Sequence, residues 1–382
     1  MHLDKKAEIT FGRFEDAIGD TDIADKSSSF AICQLGLAGE IGELLTELKK
    51  MRRGDVGDIS HKQAVCQELG DCLWYLAQIC KLWKSSLHQV AGQDKLISLD
   101  VLQQEDTSYC QGKDSVVDLA TTLTIHNGKL AEALREKKDT QQILQDLLIC
   151  IASIAKKLSL SLSEVASENI EKTQKRFGKD YSDLTFLDDG FPSFEQLPRK
   201  LKVEIRQEKV GETKKAMLFI KDFMYGNPLD DNITGEEDFF RYHDIFHMSF
   251  VAYLWWSPSF RALLNKKRRS NSRIDKNEDG GRARLLEEGL VHLIFRYGKD
   301  NCFFESKPEA RVSSSILNAI EAMVKGYEVE DRPLSLWNEA IVRAFQIFIQ
   351  VKQNEGGYIT IDMKKRKLEY KKEKPVRPKQ MG

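Results

Sequence analysis

GLAGEIGELLTELKK (36–50) and QELGDCLWYLAQIC (67–80) each carry two carboxylates three residues apart: Glu40 and Glu43 in the first, Glu68 and Asp71 in the second. Residues at i and i+3 of a helix share a face. Two antiparallel helices joined across RRGDVGD (52–58) would therefore point all four carboxylates into one space. Four carboxylates that close cannot all ionise without compensation. A hard cation supplies it, and an all-oxygen donor set suits Mg²⁺ or Mn²⁺ rather than zinc. Acidic pairs at this spacing are also common on solvated helix faces, and either pair alone says little. Asp71, however, sits in strongly apolar company. Gly36, Gly39 and Gly42 fall on one side of the first helix, where each costs about 1 kcal/mol relative to alanine. That cost predicts close approach of another helix or of a ligand.

Working outward, residues 1–178 read as helix almost throughout. Ser27 to Ser29 cap a helix to about Lys50, and Ser60 starts another that ends near Trp83. Gly92 to Asp114 reads as a loop. Helical patterns follow at about 115–137 and 139–158, then a last helix capped by Ser163 and closed by Gly178. QELGDCLWYLAQICKLWKSSLHQVA (67–91) aligns without a gap on QILQDLLICIASIAKKLSLSLSEVA (142–166), and GEIGELLTELKK (39–50) on GKLAEALREKK (128–138). The alignment sets Glu43 on Glu132 and Asp71 on Asp146, but Glu40 on Lys129 and Glu68 on Ile143. Any two amphipathic helices align to some degree. The shared Gly, Glu, Asp and Ser-Leu-x-x-Val-Ala end favour a true duplication, with an active repeat at about 28–91 and a degenerate one at about 117–178. A duplicated hairpin can bury one copy against the other and mimic a dimer within one chain.

The paired motifs resemble the E-x-x-E and E-x-x-D signature of MazG-like enzymes. These belong to the all-α nucleoside triphosphate pyrophosphohydrolase superfamily, with the dimeric dUTPases and the phosphoribosyl-ATP pyrophosphohydrolases. The resemblance covers about residues 7–178. It implies a tandem helical bundle that cleaves a nucleoside triphosphate to the monophosphate and pyrophosphate, with cleansing of the nucleotide pool as the expected role. It carries metal binding over to Glu40, Glu43, Glu68 and Asp71, with Glu40 and Glu43 as the catalytic pair and Glu40 as holder of the attacking water. It also extends to ENIEKTQKRFG (168–178), which is similar to the N-x-x-K-x-x-x-R end of MazG-like domains. Asn169, Lys172 and Arg176 recur there on nearly one helical face and could meet phosphate or sugar. An ordinary basic helix end, favoured by the helix dipole, is the other reading. Lys49 and Arg53, past the first motif, are candidates for neutralising the leaving pyrophosphate, although such residues more often form a solvated helix end. One composite site is expected: metal from the first copy, nucleotide clamp from the second.

GKDYSDLTFLDDGFPSFEQLPRK (178–200) changes character and reads as a linker, with a mostly helical α+β domain at 201–370 and a basic tail at 371–382. KVEIRQE (202–208) alternates like a strand and VGET (210–213) offers a turn. Thr234 with Glu237 makes a capping box before a long helix. Helices are expected over 281–296, 312–326 and 335–353, and a hairpin over 358–370. In RYHDIFHMSF (241–250), His243 and His247 stand four apart beside Asp244, and GGRARLLEEGLVHLIF (280–295) adds Glu287, Glu288 and His292. This spacing suits a metal; a buried polar network tying helices together suits it as well. The basic run at 260–282 fits either a polyphosphate or nucleic-acid contact or a flexible surface loop. This half resembles the C-terminal extension of some bacterial MazG-like proteins.

The 382 residues favour two domains. The net charge of -1, from 58 basic and 59 acidic residues, argues against a dedicated nucleic-acid partner. No apolar run reaches the ~20 residues of a membrane span. Seven cysteines without a C-x-x-C pair, and no leader pattern, fit a reducing cytoplasm. The expected partner is a nucleoside triphosphate. The chain is expected to be a monomer with an internal pseudo-dimer, or a homodimer. A nucleotide-sensing module with the C-terminal half as effector is the alternative to the enzyme.

Overall fold

The structure, a computed structural model, describes residues 8–19, 29–55, 60–104, 115–178, 180–232, 237–305 and 311–372. The expected caps at Ser27, Ser28 and Thr234, Cys110, and most of the basic tail lie outside the described residues. The chain divides into two compact units, Met1–Gly178 and Lys179–Gly382.

The first unit is helical: α1 (Phe11–Gly19), α2 (Ser29–Arg53), α3 (His61–Leu82), α4 (Leu87–Ala91), α5 (Val116–Glu136), α6 (Gln141–Lys157) and α7 (Leu162–Phe177). The Ser60 hydroxyl accepts the Gln63 N–H and caps α3, satisfying a donor that the helix itself leaves orphaned. Helices α2 and α3 form one hairpin and α5 and α6 another, with α2 against α5 and α3 against α6. Their shared core includes Leu37, Ile41 and Leu44 of α2, Leu69, Leu73 and Leu76 of α3, and Leu147, Leu148 and Ile151 of α6. Cys33, Cys66, Cys72, Cys80 and Cys150 are buried there as small apolar side chains.

Glycine placement differs from expectation. A Cβ on Gly36 would stand 2.2 Å from Tyr75 Cε1, so this glycine admits the α3 tyrosine, but Gly39 and Gly42 face open space. The glycine that lets α7 close on α3 is Gly70, whose Cβ would stand 2.9 Å from Asn169 Cβ. The cap of α7 also shifts. Ser161, not Ser163, accepts the Glu164 N–H; Ser163 lies in the first turn and accepts the Ile9 N–H at 3.0 Å. Gly178 ends α7 in an extended rather than a left-handed conformation, its N–H on Gln174 O. Within the expected loop at 92–114, Leu99–Gln103 form a 3₁₀ turn, because Leu99 and Leu102 share a face and bury it in the core.

The second unit holds a sheet of five antiparallel strands in the order β3-β2-β1-β4-β5 among the described residues: β1 (Lys200–Val210), β2 (Thr213–Ile220), β3 (Phe223–Leu229), β4 (Gly356–Asp362) and β5 (Lys367–Lys371). Gly211, at φ +67, makes the β1–β2 turn, a backbone region open to glycine without steric cost. Helices α8 (Asp244–Tyr253), α9 (Pro258–Leu263), α10 (Ser272–Asn277), α11 (Gly281–Asp300), α12 (Ser314–Val324) and α13 (Leu334–Asn354) complete it. Helices α8 and α13 pack on each other and on β4 and β5, around Phe246, Phe250, Trp337, Phe345, Phe348, Ile359 and Ile361. Helix α8 begins later than its sequence pattern suggests, and Glu237 pairs with Arg241 at 2.6 Å.

Two polar stretches are built into this unit rather than solvated. The expected linker supplies Asp188, which accepts from Arg261 Nη2 at 2.8 Å and from the Leu197 N–H at 2.8 Å. Glu195 there accepts from the backbone and hydroxyl of Ser270. In the expected surface loop, Arg268 is fully buried and pairs with Asp279 at 2.7 Å and Glu328 at 2.6 Å. Buried charge persists only when paired and hydrogen-bonded, and both arginines are. Among the described residues no helix is long and apolar enough to cross a membrane.

Candidate metal and nucleotide site

The α2–α3 hairpin brings Glu40, Glu68 and Asp71 together, with one oxygen from each within 4.8 Å of the others. Burial pushes the Glu68 carboxyl up to about 8 and Glu40 to about 7, and the charge of Asp71 adds to both. Glu43 stands outside this trio and more exposed, yet near enough that its charge also raises Glu40 and Glu68. The sequence grouped four carboxylates; the geometry gives three in close contact with Glu43 at the solvent side. Behind them, the Cys72 thiol is buried and held well above its ordinary value, first by burial and then by Glu40, Asp71 and Glu68.

Helix α7 closes the site. Asn169 Nδ2 donates to Asp71 Oδ1 at 2.8 Å. Lys172 donates to Asp71 Oδ2 and its charge lowers both Glu40 and Glu68. Asn169 Oδ1 is buried without a hydrogen-bond partner. Arg176 lies a turn further on, partly buried. Neither Lys49 nor Arg53 joins the cluster by any contact described. Lys49 is exposed, and Arg53 lies 3.6 Å from Asp55. Phe11 and Phe14 are fully buried core residues, and Phe30 packs edge-on against Trp83.

The sequence motifs missed Gly70 and Tyr75. A helical glycine directly before a site aspartate was the signal for the first; the second carried none. In the α5–α6 hairpin, Asp146 lies 3.4 Å from His126 Nδ1 and accepts from Gln142 at 2.9 Å, and Glu132 is exposed. Such an arrangement offers no carboxylate cluster.

In the second unit, His243, His247 and Glu288 form another group whose ligand atoms lie within 4.8 Å of one another. Glu287 backs His247, and Asp244 Oδ1 lies 3.6 Å from His243 Nε2. His292 does not join the group; its ring meets Phe240 edge-on at 6.0 Å.

An all-helical hairpin with a partly buried carboxylate cluster, closed by an Asn and a Lys from a later helix, defines a class of acidic sites able to hold a divalent cation. Residues 29–97 match the sequence profile of the MazG nucleotide pyrophosphohydrolase domain, and residues 182–374 that of the MazG C-terminal domain. The chain belongs to the MazG family, and the first match points to a nucleotide pyrophosphohydrolase, a hydrolase. A similar curated protein is the Gene 37 protein of Mycobacterium phage L5, 33% identical over 70 residues. That stretch is 17% of this chain and 61% of the phage protein, so the chain spans less than two thirds of its length. No solved structure matches the chain.

Proposed function

We propose that the chain hydrolyses nucleoside triphosphates, ribose or deoxyribose, to the monophosphate and pyrophosphate in a Mg²⁺- or Mn²⁺-dependent reaction. The observation that carries this reading is the cluster itself, with two of its three carboxyls, Glu40 and Glu68, raised into the neutral range by burial and by the charge of Asp71. Groups so placed are stabilised by a hard cation, and the donor set is oxygen only. Glu40, Glu68 and Asp71 would hold that ion, with Glu43 completing the set at the solvent side. When bound, it would neutralise triphosphate oxygens and make a coordinated water more acidic.

The protein's own residues do the remaining work. Glu40 would take a proton from the attacking water. Asn169 fixes Asp71 and leaves its amide oxygen to accept from a sugar hydroxyl. Lys172 supplies counter-charge to Asp71, and turns to the triphosphate when the cation takes that role. Arg176 extends the clamp, and Lys49 and Arg53 have at most an outer part in it. The second hairpin, with its altered acidic positions, is a duplicated copy that supports the first and makes the chain an internal pseudo-dimer with one site. Nucleotide-pool cleansing is the role such chemistry serves.

The test is product analysis with Mg²⁺ across a panel of ribo- and deoxyribonucleoside triphosphates. Pyrophosphate with monophosphate is expected. Release of orthophosphate, or tight nucleotide binding without turnover, contradicts the reading; the second outcome would make the chain a nucleotide sensor.

A further inference from the structure

His243 directly precedes α8, His247 lies one turn on, and Glu288 of α11 faces both. Each imidazole has one nitrogen already engaged. His243 Nδ1 lies 2.9 Å from the carbonyl oxygen of Phe240, and the Phe240 ring stacks on it at 4.4 Å. His247 Nδ1 lies 2.8 Å from Glu287 Oε1, and the other oxygen of Glu287 accepts the Ser259 N–H at 2.7 Å. Both Nε2 atoms face Glu288, at 3.8 Å from Oε2 for His243 and 3.4 Å from Oε1 for His247, and His243 Nε2 also lies 3.6 Å from Asp244 Oδ1. His247 is 1% exposed, and its Nε2 is buried without a well-formed hydrogen bond.

A network that merely ties helices would satisfy that nitrogen, since a buried polar atom left unpaired is expensive. Glu287 is instead spent on orienting His247 from behind, as carboxylates do for metal-ligating histidines. We propose that His243, His247 and Glu288 bind one divalent transition metal ion through the two Nε2 atoms and a carboxylate oxygen. Mixed nitrogen and oxygen donors suit zinc, iron or cobalt over magnesium, which separates this site from the all-oxygen cluster of the first unit. Three protein ligands leave coordination positions open to water or a substrate. The ion has a route in, because the Glu288 side chain is 47% exposed, and its hydroxyl partner Ser259 holds it at 3.1 Å.

The experiment uses the full chain, stripped with chelator and titrated with Co²⁺, reading the visible absorption of nitrogen-ligated cobalt. A parallel titration uses Glu40→Gln/Glu68→Gln, in which the oxygen-only cluster is disabled. Saturation at one ion per chain is expected in this double variant, and the same nitrogen-ligated spectrum in wild type, with displacement by Zn²⁺. Glu288→Gln and His243→Gln are expected to weaken binding at least about tenfold. Glu288→Gln changes a half-exposed side chain, and a thermal melt that matches wild type without metal establishes that it is folded. Absence of the nitrogen-ligated spectrum, or equal affinity in wild type and folded Glu288→Gln, overturns the proposal and leaves the three side chains as a polar network.

Discussion

Asn169 Nδ2 on α7 donates to Asp71 Oδ1 on α3 at 2.8 Å, which joins the helix after the second hairpin to the acidic motif of the first. Lys172, one turn on, meets the other oxygen of the same carboxylate. One aspartate is therefore held by an amide and an ammonium, and the ammonium stands where positive charge is most needed.

That position gives Lys172 two opposed effects. It repels a divalent cation approaching Asp71, and it attracts a triphosphate. Lys172→Met is expected to bind Mg²⁺ about tenfold more tightly in the absence of nucleotide, as loss of one like charge partly screened by solvent allows. The same variant is expected to raise KM for the triphosphate by about tenfold or more. Calorimetric Mg²⁺ titration and steady-state kinetics read the two; weaker Mg²⁺ binding in the variant would contradict this role.

The raised carboxyls give the site a pH signature. Glu40 and Glu68 keep protons up to about 7 and about 8, whereas an unfolded chain releases them near 4.5. Between those values the folded state binds more protons than the unfolded one, so their contribution to stability, complete below about 4.5, falls as pH rises through 7 and 8. A cation must displace those same protons. The rise in Tm given by saturating Mg²⁺ should therefore grow from about pH 6 to about pH 8 and level off above. A Tm shift independent of pH would show that the two carboxyls are ordinary.

Gly70 sets the distance between α3 and α7. A methyl group there would press on Asn169 Cβ, which belongs to a helix and cannot swing away. Gly70→Ala is expected to lose about 1–3 kcal/mol of stability and to lower kcat/KM, while Gly39→Ala, in open space, gains helix propensity and stability. Chemical denaturation of the two variants checks this; equal stability would mean that the helices are not in close contact.

Arg268 is buried between Asp279 and Glu328. Arg268→Met leaves two carboxylates without their cation and should destabilise the second unit by about 3–5 kcal/mol. A surface arginine would give almost nothing, so a melt of the variant distinguishes the two placements.

Much of this was legible beforehand because helical spacing maps directly onto a face. Glu40, Glu68 and Asp71 meet as i, i+3 spacing on a hairpin predicts, although Glu43, placed by the same spacing, falls outside the trio, and the period of the β1 and β4–β5 segments announced strands. What failed were polar residues whose partners lie far along the chain. Asp188, Glu195 and Arg268 look solvated in sequence, since Asp188 finds Arg261 only 73 residues later. A Cβ at Gly39 or Gly42 would meet nothing within 4 Å among the described residues, so no helix closes on them and of the two readings of that face the approach of a ligand is left. Ser161 and Ser163 are both able to cap, and two residues of register decided between them.

The central claim is that pyrophosphate release depends on the carboxylates of the first hairpin alone. The direct measurement is pyrophosphate release with Mg²⁺ by wild type, Glu68→Gln, and Glu132→Gln, which alters an exposed acidic residue of α5. The account predicts a loss of at least about 100-fold in kcat/KM for Glu68→Gln, the scale of a removed metal ligand, and wild-type activity for Glu132→Gln. Full activity in Glu68→Gln, or no pyrophosphate from wild type, would contradict it.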